Sequence, residues 1–394
     1  MHGRHAMVLV LGACIVAASA HAGDMVSEPD FTASVRALFL LQDNIAAGRK
    51  AAIDSQQARI AQIAARFGQI GHLPIPDERN AMAALGYVLA GGPPGIAEDF
   101  SKAEKLPPTL IRLLEVAVLF KNGHKEEASK LLEPIDPLAL HSGIGGRVAL
   151  VKAMLTSDDE PARKLAYFDL AIQLMPGTLV EESALRRAAL FAGSRAEFRP
   201  LWKNAGRYLR RFQQSPYAAE FISSLMTSVV GLEAKNKKAD RTSLQNLVDQ
   251  LPTEKRRSAY LLLAQKATYA GLPELAIFSA QRAKRFSLER SYEWQKAELY
   301  EAVHSIAGDG YENSMDHLLQ VNAEILDGTD RQLLSAALKM GRAIRAPADY
   351  IATGSANGSP PDNIPADHTA LVDRAAEALK SANKLLERVP NDQF

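Results

Sequence analysis

From Phe31 onward the apolar positions of this chain recur every three to four residues rather than every second one, the periodicity of helices with one buried face. Ala, Leu, Arg, Glu, Lys and Gln dominate these segments and β-branched residues are sparse, which favours helix over strand. The expected fold class is all-α. Breaks in the pattern fall at Asn122-Gly123, Ser157-Asp158, Gly193-Ser194, the polar run from Lys235 to Asp240, Gly271 and Gly308-Asp309. Their spacing of about 35 to 40 residues is the length of one helical hairpin in a solenoid.

Within the hairpins, Phe168, Ala171 and Pro176 have the offsets of the large, small and terminal positions in the second helix of a tetratricopeptide repeat. Gly271, Ala276 and Ala283 fit its turn and two small packing positions, and Gly123 with Ala128 repeats the first part. Antiparallel helices approach closely only where one presents small residues, so this spacing has a packing meaning. The pattern predicts a tetratricopeptide-like helical-hairpin solenoid, wound as a right-handed superhelix; the plain alternative is an irregular helical bundle.

Pro- and Gly-rich stretches divide the array. GHLPIPDERN, from Gly71 to Asn80, and GGPPG, from Gly91 to Gly95, set an N-terminal helical region (23–95) apart from the solenoid (96–345). Ala346 to Ala366, rich in Pro, Gly, Ser and Asn, reads as the core of a flexible linker (346–367). Beyond it, Leu371, Ala375, Ala378, Ala382, Leu385 and Val389 form the stripe of a C-terminal amphipathic helix (368–394). A single tethered helix cannot bury such a stripe alone, so it caps the solenoid or docks on a partner.

The first residues, MHGRHAMVLVLGACIVAASAHA, combine Arg4, a short apolar run and the small-residue site Ala20-His21-Ala22. That is the signature of a secretory signal peptide over residues 1–22, and it implies a periplasm-like compartment. A lipobox-like Leu11-Gly12-Ala13-Cys14 leaves lipidation as a lesser alternative. Cys14 is the single cysteine of the chain, so cleavage after Ala22 would remove thiol, disulfide and thiolate-metal chemistry together. The best later apolar run, Ile111 to Phe120, is interrupted by Glu115 and falls well short of the roughly 20 residues a span needs, so no membrane span is expected after cleavage. With 46 basic against 45 acidic residues, no strong field for nucleic acid is expected.

The stretch IQLMPGTLVEESAL, Ile172 to Leu185, contains fragments of the motifs of lytic transglycosylases, which place a catalytic Glu near a Gln-Leu-Met-Pro segment. Two observations argue against catalysis by Glu182. The fragments stand in the wrong order, and Thr178 with Glu181 forms a capping box that puts Glu181 and Glu182 in a helix first turn. There the helix dipole favours the ionised carboxylate, whereas a glycosidase acid needs a raised pKa. The six later histidines, His72, His124, His141, His304, His317 and His368, form no compact ligand pair, though His304 and His317 flank one turn. Gly143-Ile144-Gly145-Gly146 lacks the Lys-Ser/Thr of a phosphate loop and reads as a plain loop. No catalytic residue, metal, cofactor or small-molecule substrate is expected.

Basic clusters are more frequent: Arg186-Arg187, Arg207 with Arg210-Arg211, Lys255-Arg256-Arg257, and Arg282 with Lys284-Arg285. They are either solvated helix faces balanced by acidic neighbours or a basic stripe suited to an acidic protein segment. Tyr208, Phe212 and Tyr217 lie among them, and Arg with Tyr is the composition of interface hot spots. The candidate protein-binding set is therefore Arg186, Arg187, Arg207, Tyr208, Arg210, Arg211 and Tyr217.

PGTLVEESALRRAAL from Pro176 and RYLRRFQQSPYAAEF from Arg207 to Phe221 resemble the MotC family of periplasmic motility proteins of alphaproteobacteria. The likeness extends to LQDNIAAG at Leu41, RNAMAALGYVLAGG at Arg79 and AYLLLAQKATYAGLPELAIFSAQRA at Ala259. The resemblance implies an exported, non-catalytic protein required for flagellar rotation that acts on the periplasmic part of the stator protein MotB. A general tetratricopeptide-like scaffold for cell-envelope assembly is the alternative, and a peptidoglycan lytic transglycosylase a remote one.

Overall fold

The computed structural model describes residues 30–49, 51–67, 77–235, 237, 239–306 and 310–345. Over these residues the helical periodicity becomes seventeen α-helices and one 3-10 turn, Pro137–Ala139, with no strand among them. The signal peptide expected over 1–22, the linker over 346–367 and the terminal helix over 368–394 lie outside the described residues.

The first part of the chain comprises α1 (Phe31–Ala46), α2 (Ala51–Phe67), α3 (Glu78–Leu89), α4 (Gly95–Ser101), α5 (Pro108–Lys121) and α6 (Lys125–Leu132). Helix pairs then follow one another: α7 (Ser142–Leu155) with α8 (Pro161–Leu174), α9 (Leu179–Ser194) with α10 (Phe198–Phe212), and α11 (Ala218–Ala234) with α12 (Arg241–Val248). After these come α13 (Thr253–Tyr269) with α14 (Pro273–Arg285), α15 (Tyr292–Ser305) with α16 (Tyr311–Gln320), and α17 (Gly328–Arg345).

From α7 onward the odd-numbered helices form one layer, α7 against α9, α9 against α11, α11 against α13 and α13 against α15. Helices α8, α10, α14 and α16 pack on their own partners, whereas α12 rests on α10 and α13. Each pair thus buries its apolar face on its sequence neighbours, the contact pattern of a helical-hairpin solenoid. The breaks at Asn122-Gly123, Ser157-Asp158, Gly193-Ser194 and Gly271 follow or close α5, α7, α9 and α13, whereas Gly308-Asp309 and part of the 235–240 run lie outside the described residues. Gly123 and Gly271 take the left-handed backbone that ends a helix without a Cβ penalty, at φ +87° and +68°. The third turn differs: Ala196 takes the left-handed position at φ +60°, while Gly193 stays helical. A Cβ on Gly193 would lie 3.3 Å from the Ser228 side chain, so this glycine serves the approach of α11 to α9.

Small residues lie where helices must come close. Ala128, Ala171, Ala276 and Ala283 are fully buried, and Phe168 is the large residue beside Ala171. Two apolar cores result, one running through α1 to α7 from Phe31 to Val151, the other from α7 to α17. The Pro/Gly connection at 91–95 lies within the first of these, since α3 packs on α5 and α7 as well as on α1.

Helix α1 also crosses to the array and packs on α9. Its last residue, Ala46, belongs to the second core, and Asp43 Oδ1 accepts the Leu179 amide at 3.1 Å, 136 residues along the chain. Burial raises the Asp43 pKa, against the opposing effects of that amide and Arg147. Arg147 itself is buried, lies 3.9 Å from the Phe39 ring centroid, and is depressed to about 10 by burial.

The Gly143 to Gly146 stretch, expected as a loop, is the first turn of α7. Close packing explains the glycines: a Cβ at Gly145 would meet the Pro137 carbonyl oxygen at 2.5 Å, and one at Gly146 would meet Met175 Cγ at 2.4 Å. His141 caps the helix by accepting the Gly143 amide on Nδ1 at 3.2 Å.

A candidate partner-binding face on α9 and α10

Met175 and Pro176 close α8, and Gly177 at φ +81° turns the chain into α9. Thr178 caps that helix, its Oγ1 accepting the Glu181 amide at 3.4 Å. Glu181 returns the bond one residue earlier than a standard capping box, Oε2 accepting from the Gly177 amide at 2.6 Å. Both Glu181 and Glu182 are wholly buried in this first turn. Two adjacent buried carboxylates are costly unless cations and hydrogen-bond donors surround them.

The neighbouring α10 and the turn after it supply those groups. Arg211 Nη1 lies 3.0 Å and Arg207 Nη2 3.5 Å from Glu181 Oε1. Tyr208, itself fully buried, donates its hydroxyl to Glu182 Oε1 at 2.7 Å, and Ser215 Oγ does so at 3.4 Å. From α9 itself, Arg186 Nε lies 3.4 Å from the same oxygen, and its guanidinium stands 5.2 Å from the Tyr217 ring centroid. Burial and the negative charge of Glu182 push the Tyr208 phenol far above its ordinary range.

The structure therefore gathers Arg186, Arg207, Tyr208, Arg211 and Tyr217 around one carboxylate pair. Tyr208 is an internal anchor of this node, because it exposes no surface. Arg211 keeps 45% of its side chain exposed, and Arg207 and Arg186 keep 31% and 20%. Arg187 and Arg210 lie outside the node and are exposed; Arg187 Nε donates to Ser183 Oγ at 3.3 Å and Arg210 Nη1 to Gln250 Oε1 at 3.3 Å. What results is a guanidinium surface braced from beneath by buried carboxylates. The bracing groups Glu181 and Ser215 escaped the sequence reading of a binding face, although the capping box had already marked Glu181.

The same geometry encloses Glu182, whose carboxylate is covered by Tyr208, Ser215 and Arg186, so a polysaccharide has no access to it. His317 Nδ1 pairs with Glu298, whereas His304 Nε2 is buried without a hydrogen-bond partner. Among the described residues no group of three or more His, Asp, Glu or Cys side chains converges as a metal site. Nor is any helix among them long and apolar enough to cross a membrane.

The other basic clusters brace successive helices as well. Arg256 Nη2 donates to the carbonyls of Asp249 at 2.7 Å and Leu251 at 3.0 Å. Arg257 pairs with Glu293 at 3.6 Å, and Lys284 with Glu298 at 2.6 Å and Glu301 at 3.0 Å. Lys255 donates to the Gln213 carbonyl.

The family model described as Chemotaxis protein MotC matches residues 1–392. This chain belongs to the MotC family. Over 314 residues it is 26% identical to the Chemotaxis protein MotC of Rhizobium meliloti (strain 1021), an alignment that covers 79% of this chain and 72% of that protein. No solved structure matches it. As a MotC family member the chain is a motility- and chemotaxis-associated protein.

Proposed function

We propose that this chain is a non-enzymatic periplasmic motility protein that supports flagellar rotation by binding the periplasmic domain of the stator protein MotB. The observation that carries the reading is a family match spanning almost the whole chain. Its leader, with Arg4, an apolar run and Ala20-His21-Ala22, supports export. A helical array carrying Arg186 and Arg187 on α9, Arg210 and Arg211 on α10, and Tyr217 just before α11 supports binding, since aromatic and arginine side chains on rigid elements are the stuff of hot spots. The partner is supported by what the family resemblance implies.

Titration of the purified chain with the MotB periplasmic domain by calorimetry tests the partner directly. Saturable binding is expected, and none at all overturns that assignment. Deleting the gene should leave flagella assembled but cells unable to swim normally; unimpaired swimming overturns the role in rotation. Cell fractionation should place the processed protein in the periplasm.

A further inference from the structure

Between α10 and α12 runs a groove of about 340 Å³, lined on one wall by Trp202, Lys203, Arg207 and Arg210 and on the other by Ser243, Asn246 and Gln250. Its floor is Gly206 and Leu247, and the missing side chain at Gly206 is part of the shape: a Cβ there would come within 3.3 Å of Arg210 Nη1 and 3.6 Å of Gln250 Nε2. Three cations and three neutral hydrogen-bonding side chains line it, and no carboxylate does.

The three cations are not equally engaged. Lys203 Nζ pairs with Asp169 at 2.9 Å and Arg207 with buried Glu181 at 3.5 Å. Arg210 has no carboxylate partner among the described residues, and its guanidinium is held instead by the neutral amide oxygen of Gln250 at 3.3 Å. An exposed guanidinium with free donors, next to two primary amides, is matched to a carboxylate, which accepts paired N–H bonds in its own plane. Exchanging a neutral amide acceptor for an ionised one strengthens the bond, so Gln250 holds the place a carboxylate would take.

Shape decides between a small anion and a chain. From Trp202 to Arg210 the α10 wall extends about 12 Å at the helical rise. That length takes about four residues of extended polypeptide. Trp202, half-buried and stacked on Phe198 with centroids 6.4 Å apart, gives apolar surface for side-chain methylenes, which a free inorganic anion would leave unused. We infer that this groove is a docking site for an extended, glutamate- or aspartate-bearing segment of a partner protein, with Arg210 receiving the carboxylate. The inference rests on reading the chain as a partner-binding protein, and it adds where the partner seats and what charge it brings.

Fluorescence anisotropy on the full chain tests it, using a labelled synthetic peptide of alternating glutamate and serine beside the same peptide with glutamine for glutamate. The glutamate peptide should bind and the glutamine peptide should not. Arg210→Glu should weaken binding about tenfold or more, and Asn246→Asp, which places a carboxylate in the opposite wall, should weaken it too. Both residues are exposed, so both variants should melt as the parent does. Lys105→Glu, in the connection between α4 and α5, changes net charge as much as Arg210→Glu does and should leave affinity unchanged.

Equal binding of the two peptides overturns the inference, as does unchanged affinity in both groove variants or an equal loss in Lys105→Glu. Displacement of the peptide by equimolar inorganic phosphate would show a simple anion site and overturn the polypeptide assignment. If the MotB domain binds while the glutamate peptide does not, the groove falls and the proposed partner stands; the reverse result separates them the other way.

Discussion

Two of the buried carboxylate nodes in this molecule are built to different ends. One is the Glu181–Glu182 pair at the start of α9; the other is Asp330 in the first turn of α17. Asp330 is wholly buried and accepts the hydroxyls of Tyr300 at 2.7 Å and Tyr269 at 2.9 Å on Oδ1, while Lys296 Nζ lies 2.7 Å from Oδ2. Asp327, just before the helix, accepts the Asp330 amide at 2.9 Å and also pairs with Lys296. Both nodes join a helix N-terminus to tyrosines from other helices. The cations differ: Lys296 is only 10% exposed, whereas Arg211 at the first node is 45% exposed. The Asp330 node spends its charge inward and closes the end of the array; the Glu181–Glu182 node holds guanidinium groups at the surface, where another molecule can reach them.

The sharpest way to break this comparison is to remove each acceptor. Asp330→Ala should be the more damaging change, at about 3 to 5 kcal/mol, because it takes the acceptor from two phenols and leaves a buried ammonium with Asp327 as its remaining carboxylate. Urea denaturation of the full chain reads this, and a smaller loss than that of Glu182→Ala would reverse the ranking. Tyr208→Phe comes next: it deprives buried Glu182 of its nearest donor and should cost about 1 to 3 kcal/mol in the same assay.

pH acts on the Asp330 node and on its neighbour His304 in opposite directions. Tyr269 and Tyr300 are raised far above 10, chiefly by burial and then by Asp330. Above pH 10 the unfolded chain loses phenolic protons that the folded one retains, so stability should fall as pH rises through that region. His304 behaves oppositely, since burial lowers it from 6.5. Stability tied to it is present above 6.5 and is lost as pH falls toward its folded value, where the unfolded chain binds the extra proton. His304→Leu should flatten the slope of melting temperature against pH below about 6.5. An unchanged slope would exclude His304 as its source. The smallest effect belongs to the groove beside the first node: Arg210→Glu should alter stability by no more than about 0.5 kcal/mol, as expected for an exposed position whose partner is neutral.

Much of the array was legible because its signals are local. Periodicity shows helices, Gly123 and Gly271 mark left-handed helix ends, and Ala171 and Ala276 stand where small residues must face a neighbour. Thr178 and Glu181 likewise announced a helix start. Signals failed where a distant segment decides. Nothing beside Gly145 and Gly146 reveals that Pro137 and Met175 press on them, so glycines that serve packing inside α7 looked like a loop. Arg207 and Arg211 read as part of a solvated face or a basic stripe, with no sign of their buried acceptor, because Glu181 lies a full hairpin turn earlier. The α10–α12 groove was invisible for the same reason, Asn246 and Gln250 being ordinary polar residues until α12 sets them opposite Arg210.

The crossing of α1 onto α9 changes how the chain can be assembled. A pure stack of hairpins propagates from neighbour to neighbour, but the bond from Leu179 to Asp43 closes a loop of more than a hundred residues. The front of the molecule therefore cannot settle until its middle exists, and trimming the chain back through α1 would strip the cover from Ala46's place in the central core.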